Sequence, residues 1–137
     1  MIINESQLRC AFRDYNDIYF NSTLPMPRFE VMHSFKYFGY FESDIFDNTT
    51  LNPVIRISDQ YEYTESQFRD ILVHEMIHYY LAYIGKDIKA RHGKEFKSYA
   101  DMLNRYYKLN ITERINMDEY TRHKGTSWIK YTLAKIF

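Results

Sequence analysis

Apolar residues recur at helical spacing in three stretches of the chain and at alternate positions between the first two. Leu8, Ala11, Phe12, Tyr15, Ile18 and Tyr19 follow the i, i+3, i+4 pattern, which predicts a helix over residues 5–21 that Leu24-Pro25-Met26-Pro27 must end. Phe29, Val31 and His33 alternate with Glu30, Met32 and Ser34, as in a strand with one face covered; residues 37–41 around Gly39 predict a second strand and residues 53–58 a third. Residues 44–50 are rich in turn formers and are expected to be a loop. Phe68, Ile71, Leu72, Met76 and Tyr79 then mark an amphipathic helix over residues 65–84, with Thr64 and Gln67 placed as a capping box and Gly85 as its stop. Phe96, Tyr99, Ala100, Leu103 and Tyr107 continue a helical core stripe to about residue 108.

The order helix, strands, helix, helix implies an α+β fold with a small, mostly antiparallel sheet. A chain of 137 residues fits a single domain over 1–137, with a core at about 5–109 and a C-terminal extension at 110–137. Within the extension, Gly125 offers a turn between residues 120–124 and 127–133, so a strand or hairpin is expected there. There is no internal repeat and no low-complexity segment.

Composition narrows the class further. The single cysteine, Cys10, has no internal partner, which suits a reducing compartment, and it is read as a small buried apolar residue of the first helix. Fourteen tyrosines and ten phenylalanines supply much of the buried area in a chain with few valines, so most are expected in the core. The first residues lack a basic start and a sustained apolar run, and no segment approaches a membrane span; the expectation is a cytoplasmic protein without membrane contact.

The chemistry concentrates in His74-Glu75-Met76-Ile77-His78, followed by His92-Gly93. Two histidines four apart project from one face of a helix, one turn apart, close enough for both imidazoles to reach a single ion. His92, returned by the turn at Gly85, would make a third ligand, and three protein ligands with one open position describe a catalytic rather than a structural zinc site. Glu75, one residue along from His74, is placed to take a proton from an activated water. The expected cofactor is one Zn2+ per chain, held by His74, His78 and His92. The plainer alternative is two histidines with ordinary hydrogen bonds on a partly buried helix. His33 lies outside the motif and reads as a polar residue near the sheet surface.

These residues resemble a known family. His74-Glu75-Met76-Ile77-His78, thirteen intervening residues, and then His92-Gly93-Lys94-Glu95-Phe96 are similar to the core of SprT-like zinc metallopeptidases, the Spartan-type protease core. Tyr15-Asn16-Asp17-Ile18-Tyr19-Phe20 with Leu24-Pro25 resembles the family's opening helix and its exit, residues 34–39 its first hairpin, and Val54-Ile55-Arg56-Ile57-Ser58 the strand that leads into the active-site helix. The resemblance covers about residues 8–109. It implies a minimal zincin-like fold, metal ligands at His74, His78 and His92, a general base at Glu75, and a peptide substrate extended beside an edge strand. Many relatives carry a cysteine zinc ribbon after this core; no cysteine follows Cys10 here, so a ribbon is not expected.

The net charge is zero but unevenly spread. Residues 42–70 hold seven acids against Arg56 and Arg69, whereas residues 86–108, which include His92, hold seven bases against Asp87, Glu95 and Asp101. Lys86, Lys89, Arg91, Lys94 and Lys97 form a candidate phosphate-binding face beside the motif, with an ordinary solvated helix face as the plainer reading. The function implied is a zinc-dependent endopeptidase acting on protein or peptide, with DNA-associated proteins as a substrate class and weak DNA binding. The alternatives are a nucleic-acid-binding or protein-interaction module whose metal site is vestigial. Glu75 favours the enzyme, because a purely structural site has no need of a carboxylate beside its open position.

Overall fold

A computed structural model describes residues 1, 3–87, 89, 91–115, 119–122 and 135–136. Its elements are α1 (Glu5–Tyr19), β1 (Arg28–Met32), β2 (Tyr37–Phe46), β3 (Thr49–Ser58), β4 (Tyr61–Glu62), α2 (Glu65–Tyr83), α3 (Lys94–Tyr107), β5 (Thr121–Arg122) and β6 (Lys135–Ile136). The α+β class follows from this order, and the strands fall into two small sheets.

In α1, Asn4 Oδ1 accepts from the Gln7 amide at 2.8 Å and so satisfies one of the free amides of the first turn. Leu8, Phe12 and Asn16, four apart, form its buried face. Cys10 is exposed, which corrects the expectation of burial: it lies about 200° around the helix from Leu8 and Phe12. The helix stops at Tyr19, ahead of the prolines, because Asn21 and Ser22 take left-handed conformations. The Asn16 amide then grips Leu24 in both directions, donating to its carbonyl at 2.9 Å and accepting from its amide at 3.1 Å.

The main sheet has the order β1-β3-β2-β6. Its longest pairing, β2 with β3, is antiparallel, while β1 joins β3 and β6 joins β2 in parallel, so the sheet is mixed. Residues 44–50 are not a loop. Phe46 pairs with Thr49, and only Asp47 and Asn48 turn, both with positive φ (51° and 58°), the two-residue hairpin geometry that matches strand twist. A register shift between Glu42 and Asp44 marks a bulge in β2. The expected hairpin of residues 120–124 and 127–133 falls largely outside the described residues; within them, β5 pairs antiparallel with β4.

Packing places α1 against β1 and lays α2 across β2 and β3. Rings interlock between the layers: Tyr79 of α2 stacks on Phe41 of β2 and on Phe12 of α1, and Phe12 meets Phe29 of β1 edge-on. The capping box of α2 forms as expected, with Thr64 Oγ1 accepting from the Gln67 amide at 3.1 Å and Gln67 Oε1 accepting from the Thr64 amide at 3.0 Å. The expected amphipathic character does not hold. From Ile71 to Tyr79 every residue of α2 is buried, because the sheet covers one side and α3 with the segment after it covers another. Burial therefore extends to the polar residues of the motif. In α3 the buried stripe is Phe96, Ala100 and Leu103, whereas Tyr107 is exposed and meets Tyr19 edge-on.

Candidate metal centre

His74 and His78 lie one turn apart on α2, each only 1 % exposed. The chain turns back immediately after this helix. Gly85 takes φ +75°, and the amides of Lys86 and Asp87 both donate to the Leu81 carbonyl, at 2.8 and 3.1 Å. Beyond this turn, half-buried His92 meets the first two rings. His92 Nε2 lies 3.0 Å from His74 Nε2 and 3.1 Å from His78 Nε2.

Convergence of three nitrogens is the arrangement that a cation rewards. His74 Nδ1 donates to the Thr112 carbonyl at 2.8 Å, which leaves its Nε2 as a bare lone pair turned toward His92. Two nitrogens each bound to one tetrahedral zinc ion are about 3.3 Å apart, close to the distances seen here. The three histidines could hold one metal ion, and their donor atoms fit it in chemistry and in spacing. Phe96 packs behind all three rings, with centroids 4.6, 4.8 and 4.9 Å from those of His74, His78 and His92. An apolar backing of this kind keeps water from the rear of the cluster.

The Thr112 carbonyl reaches His74 because Asn104 folds the chain after α3. Its side chain donates to the Ile111 carbonyl at 3.0 Å and accepts from the Ile111 amide at 2.8 Å. Leu109 and Ile111 are buried beside it, which fixes the segment one residue before Thr112.

Glu75 is fully buried on the same helix, and neither carboxylate oxygen has a hydrogen-bond partner among the described residues; His78 Nδ1 is likewise unpartnered. Native proteins seldom leave such groups unsatisfied without a functional reason. Burial pushes the Glu75 carboxyl well above the usual carboxylate range. Burial also lowers all three imidazoles, His78 to about 3; the charged forms of His78 and His92 lower His74 further, and that of His92 lowers His78 further. The cluster therefore stays neutral at pH 7, the state in which imidazole binds a metal. The Glu75 side chain fits against the backbone of β2 at Gly39.

The three histidines thus come together, and Glu75 follows His74 on the same helix with its side chain against Gly39. The five bases do not act alike: Lys86, Lys89, Arg91, Lys94 and Lys97 are all exposed, but Arg91 pairs with Asp87 at 3.4 Å and Lys97 with Glu113 at 3.3 Å. His33 is exposed just past β1, paired with Asp59 at 2.9 Å and apart from the cluster. Phe96, Gly39 and the Thr112 carbonyl were not legible as parts of the site. Phe96 reads from its helical spacing as ordinary core, and a backbone carbonyl leaves no mark in a sequence.

Among the described residues no helix is long and apolar enough to cross a membrane. No curated protein and no solved structure showed significant similarity to this sequence. A family model does match, over residues 8–116, a span that takes in almost all of α1, the main hairpin, the three-histidine cluster and the carbonyl behind His74. With that span running through every element that builds the site, the chain belongs to the SprT-like family.

Proposed function

We propose that this protein is a zinc-dependent endopeptidase, with His74, His78 and His92 as the metal ligands and Glu75 as the general base. One observation carries the reading: three neutral imidazoles converge on a common point while the adjacent residue of the same helix holds a buried carboxylate with no partner among the described residues. A structural metal site has no use for that carboxylate, and a core helix without function would not keep it. Membership of the SprT-like family is consistent with a peptidase-type enzyme.

When bound, zinc supplies Lewis acidity, bringing the pKa of a water to about 7 and polarising the carbonyl under attack. The chain's own residues do the rest. Thr112 fixes the tautomer and plane of His74, and Phe96 holds the three rings against rotation and excludes water behind them. Glu75, whose pKa burial raises, would be favoured in its ionised form by a cation held by the rings. Glu75 then takes a proton from the attacking water and returns it to the leaving amine nitrogen, so that the peptide bond breaks with no net proton change at the residue. DNA-associated proteins are the substrate class that the exposed bases beside His92 favour, since phosphate backbones would gather on that face.

The test is cleavage of unfolded and DNA-bound proteins by zinc-loaded protein, with and without DNA. Zinc-dependent cleavage is expected. Stoichiometric zinc binding without cleavage of any protein in the panel would favour an interaction module with a vestigial site.

A further inference from the structure

Between the second and third histidines lies a buried charge that the proposed chemistry does not use. Asp87 is 4 % exposed. It sits where the chain leaves α2, and its own amide is tied to the Leu81 carbonyl at 3.1 Å. Its carboxylate spans the turn that follows: Oδ1 accepts from the Lys89 amide and Oδ2 from the Arg91 amide, both at 3.1 Å, and Oδ1 also faces Arg91 Nε at 3.4 Å. Arg91 is the residue before His92. One buried side chain therefore joins the end of the helix that carries His74 and His78 to the residue that presents His92.

The geometry points to Asp87 as the positioning residue of the metal centre, the group that sets His92 over the His74 and His78 pair and so sets metal affinity. The inference rests on the three histidines being metal ligands. Its physical basis is that His92 stands on a return segment rather than a helix; without a fixed turn, ordering that segment would oppose metal binding each time. A carboxylate accepting two amides and a guanidinium is a strong fastener, because hydrogen bonds to an ionised group are roughly twice as strong as neutral ones.

The experiment is zinc affinity by competition with a chromophoric chelator, on the full chain, for wild type, Asp87→Ala, Asp87→Asn and His92→Ala, together with Asp87→Ala in the His92→Ala background. Asp87→Ala is expected to weaken zinc binding by about tenfold to a hundredfold, the range for lost supports of metal ligands. Asparagine can accept from only one of the two amides and turns a donor toward the other, so Asp87→Asn is expected to fall between. Because Asp87 acts through His92, its removal should add little once His92 is gone. The Co2+ visible spectrum of Asp87→Ala should shift toward that of His92→Ala, a change that a general loss of stability would not produce. Wild-type affinity and an unchanged Co2+ spectrum in folded Asp87→Ala would overturn the assignment. Should that variant not fold, wild-type affinity in Asp87→Asn would do so. A wild-type protein that binds no zinc would defeat the metal reading itself, and normal zinc binding without proteolysis would defeat only the proposed peptidase activity.

Discussion

Gly39 and Glu75 are in such close contact that a Cβ at position 39 would lie 2.9 Å from Glu75 Oε2 and 3.1 Å from its Cγ. Ile71 Cγ2 closes the same space at 3.2 Å. The glycine is needed for close approach of a strand backbone to a helix side chain. Gly39→Ala is therefore expected to push the carboxylate from its place, costing about 1–3 kcal/mol of stability as an overpacked core does. Activity should fall mainly in kcat, with zinc content retained, since the methyl meets the proposed base rather than a ligand. Steady-state kinetics on zinc-matched protein checks this, and an unchanged kcat would show that Glu75 need not occupy its observed position.

Glu75→Gln is expected to lower proteolysis by about a hundredfold to ten-thousandfold, the usual worth of a general base, while zinc content stays near that of wild type. The same substitution should stabilise the metal-free protein. Burial holds the folded-state pKa of Glu75 well above its ordinary value of 4.5, so the folded state binds the extra proton. The stability associated with that proton is present below pH 4.5 and is lost as pH rises through the folded pKa. Glutamine has no such loss. The melting temperature of the variant should exceed that of wild type by a margin that widens with pH above about 4.5, on the order of several degrees for each kcal/mol. A variant equally stable at all pH values would mean that the carboxylate is better solvated than its burial implies.

Much of this site could be read from the sequence because its signals are local. The His74–His78 spacing, the Thr64–Gln67 cap and the stop at Gly85 each lie within a turn or two of helix, where covalent geometry decides the outcome. The third histidine was legible because the return needs only a short chain. Gly39, Asn104 and Thr112 were not, since each acts across the fold or through backbone, which residue type does not reveal. Two local readings fail for opposite reasons. Asp47 and Asn48 are strong turn formers, yet they consume only two residues, and the β-branched Thr49 and Thr50 beside them belong to β3. For Cys10, residue type suggests burial, whereas the buried face of α1 is set by the four-residue spacing of Leu8, Phe12 and Asn16.

The imidazoles predict an acid-labile metal-free fold. Unfolded histidine titrates near 6.5, but burial and the neighbouring His92 hold His78 at about 3 in the folded state, and His74 and His92 are also lowered. Between these values the unfolded chain binds more protons than the folded one, so the stability contributed is present above pH 6.5 and is lost as pH falls toward 3. Melting temperatures in the presence of a chelator should drop across that window. A His78→Gln variant should lose part of the slope. An identical slope in wild type and variant would place the acid sensitivity elsewhere.

For DNA, the ion pairs divide the basic face. Lys86, Lys89 and Lys94 have no ion pair among the described residues, whereas Arg91 and Lys97 each have an acidic partner. Replacing the three lysines by glutamine is expected to weaken DNA binding for all sequences alike and to reduce the slope of log affinity against log salt by about one for each phosphate that is no longer neutralised. Fluorescence anisotropy over a salt series reads both quantities. Undetectable binding by wild type at low salt would remove the DNA role.

Asn104 offers the last discriminating substitution, because it is remote from the metal-facing atoms yet holds the segment that orients His74. Asn104→Ala removes both hydrogen bonds to Ile111 and leaves a partly buried amide and carbonyl unpaired, at a cost of about 1–3 kcal/mol. A purely structural clamp would show that loss and nothing more. If the clamp also places the Thr112 carbonyl, His74 loses the acceptor that fixes its tautomer, and zinc affinity should fall by about tenfold or more. Stability and affinity are separable in this variant: unfolding in chelator measures the first, and chelator competition at a temperature well below the transition measures the second. A destabilised variant with wild-type zinc affinity would mean that His74 keeps its orientation without Thr112, held by the packing of Phe96 alone.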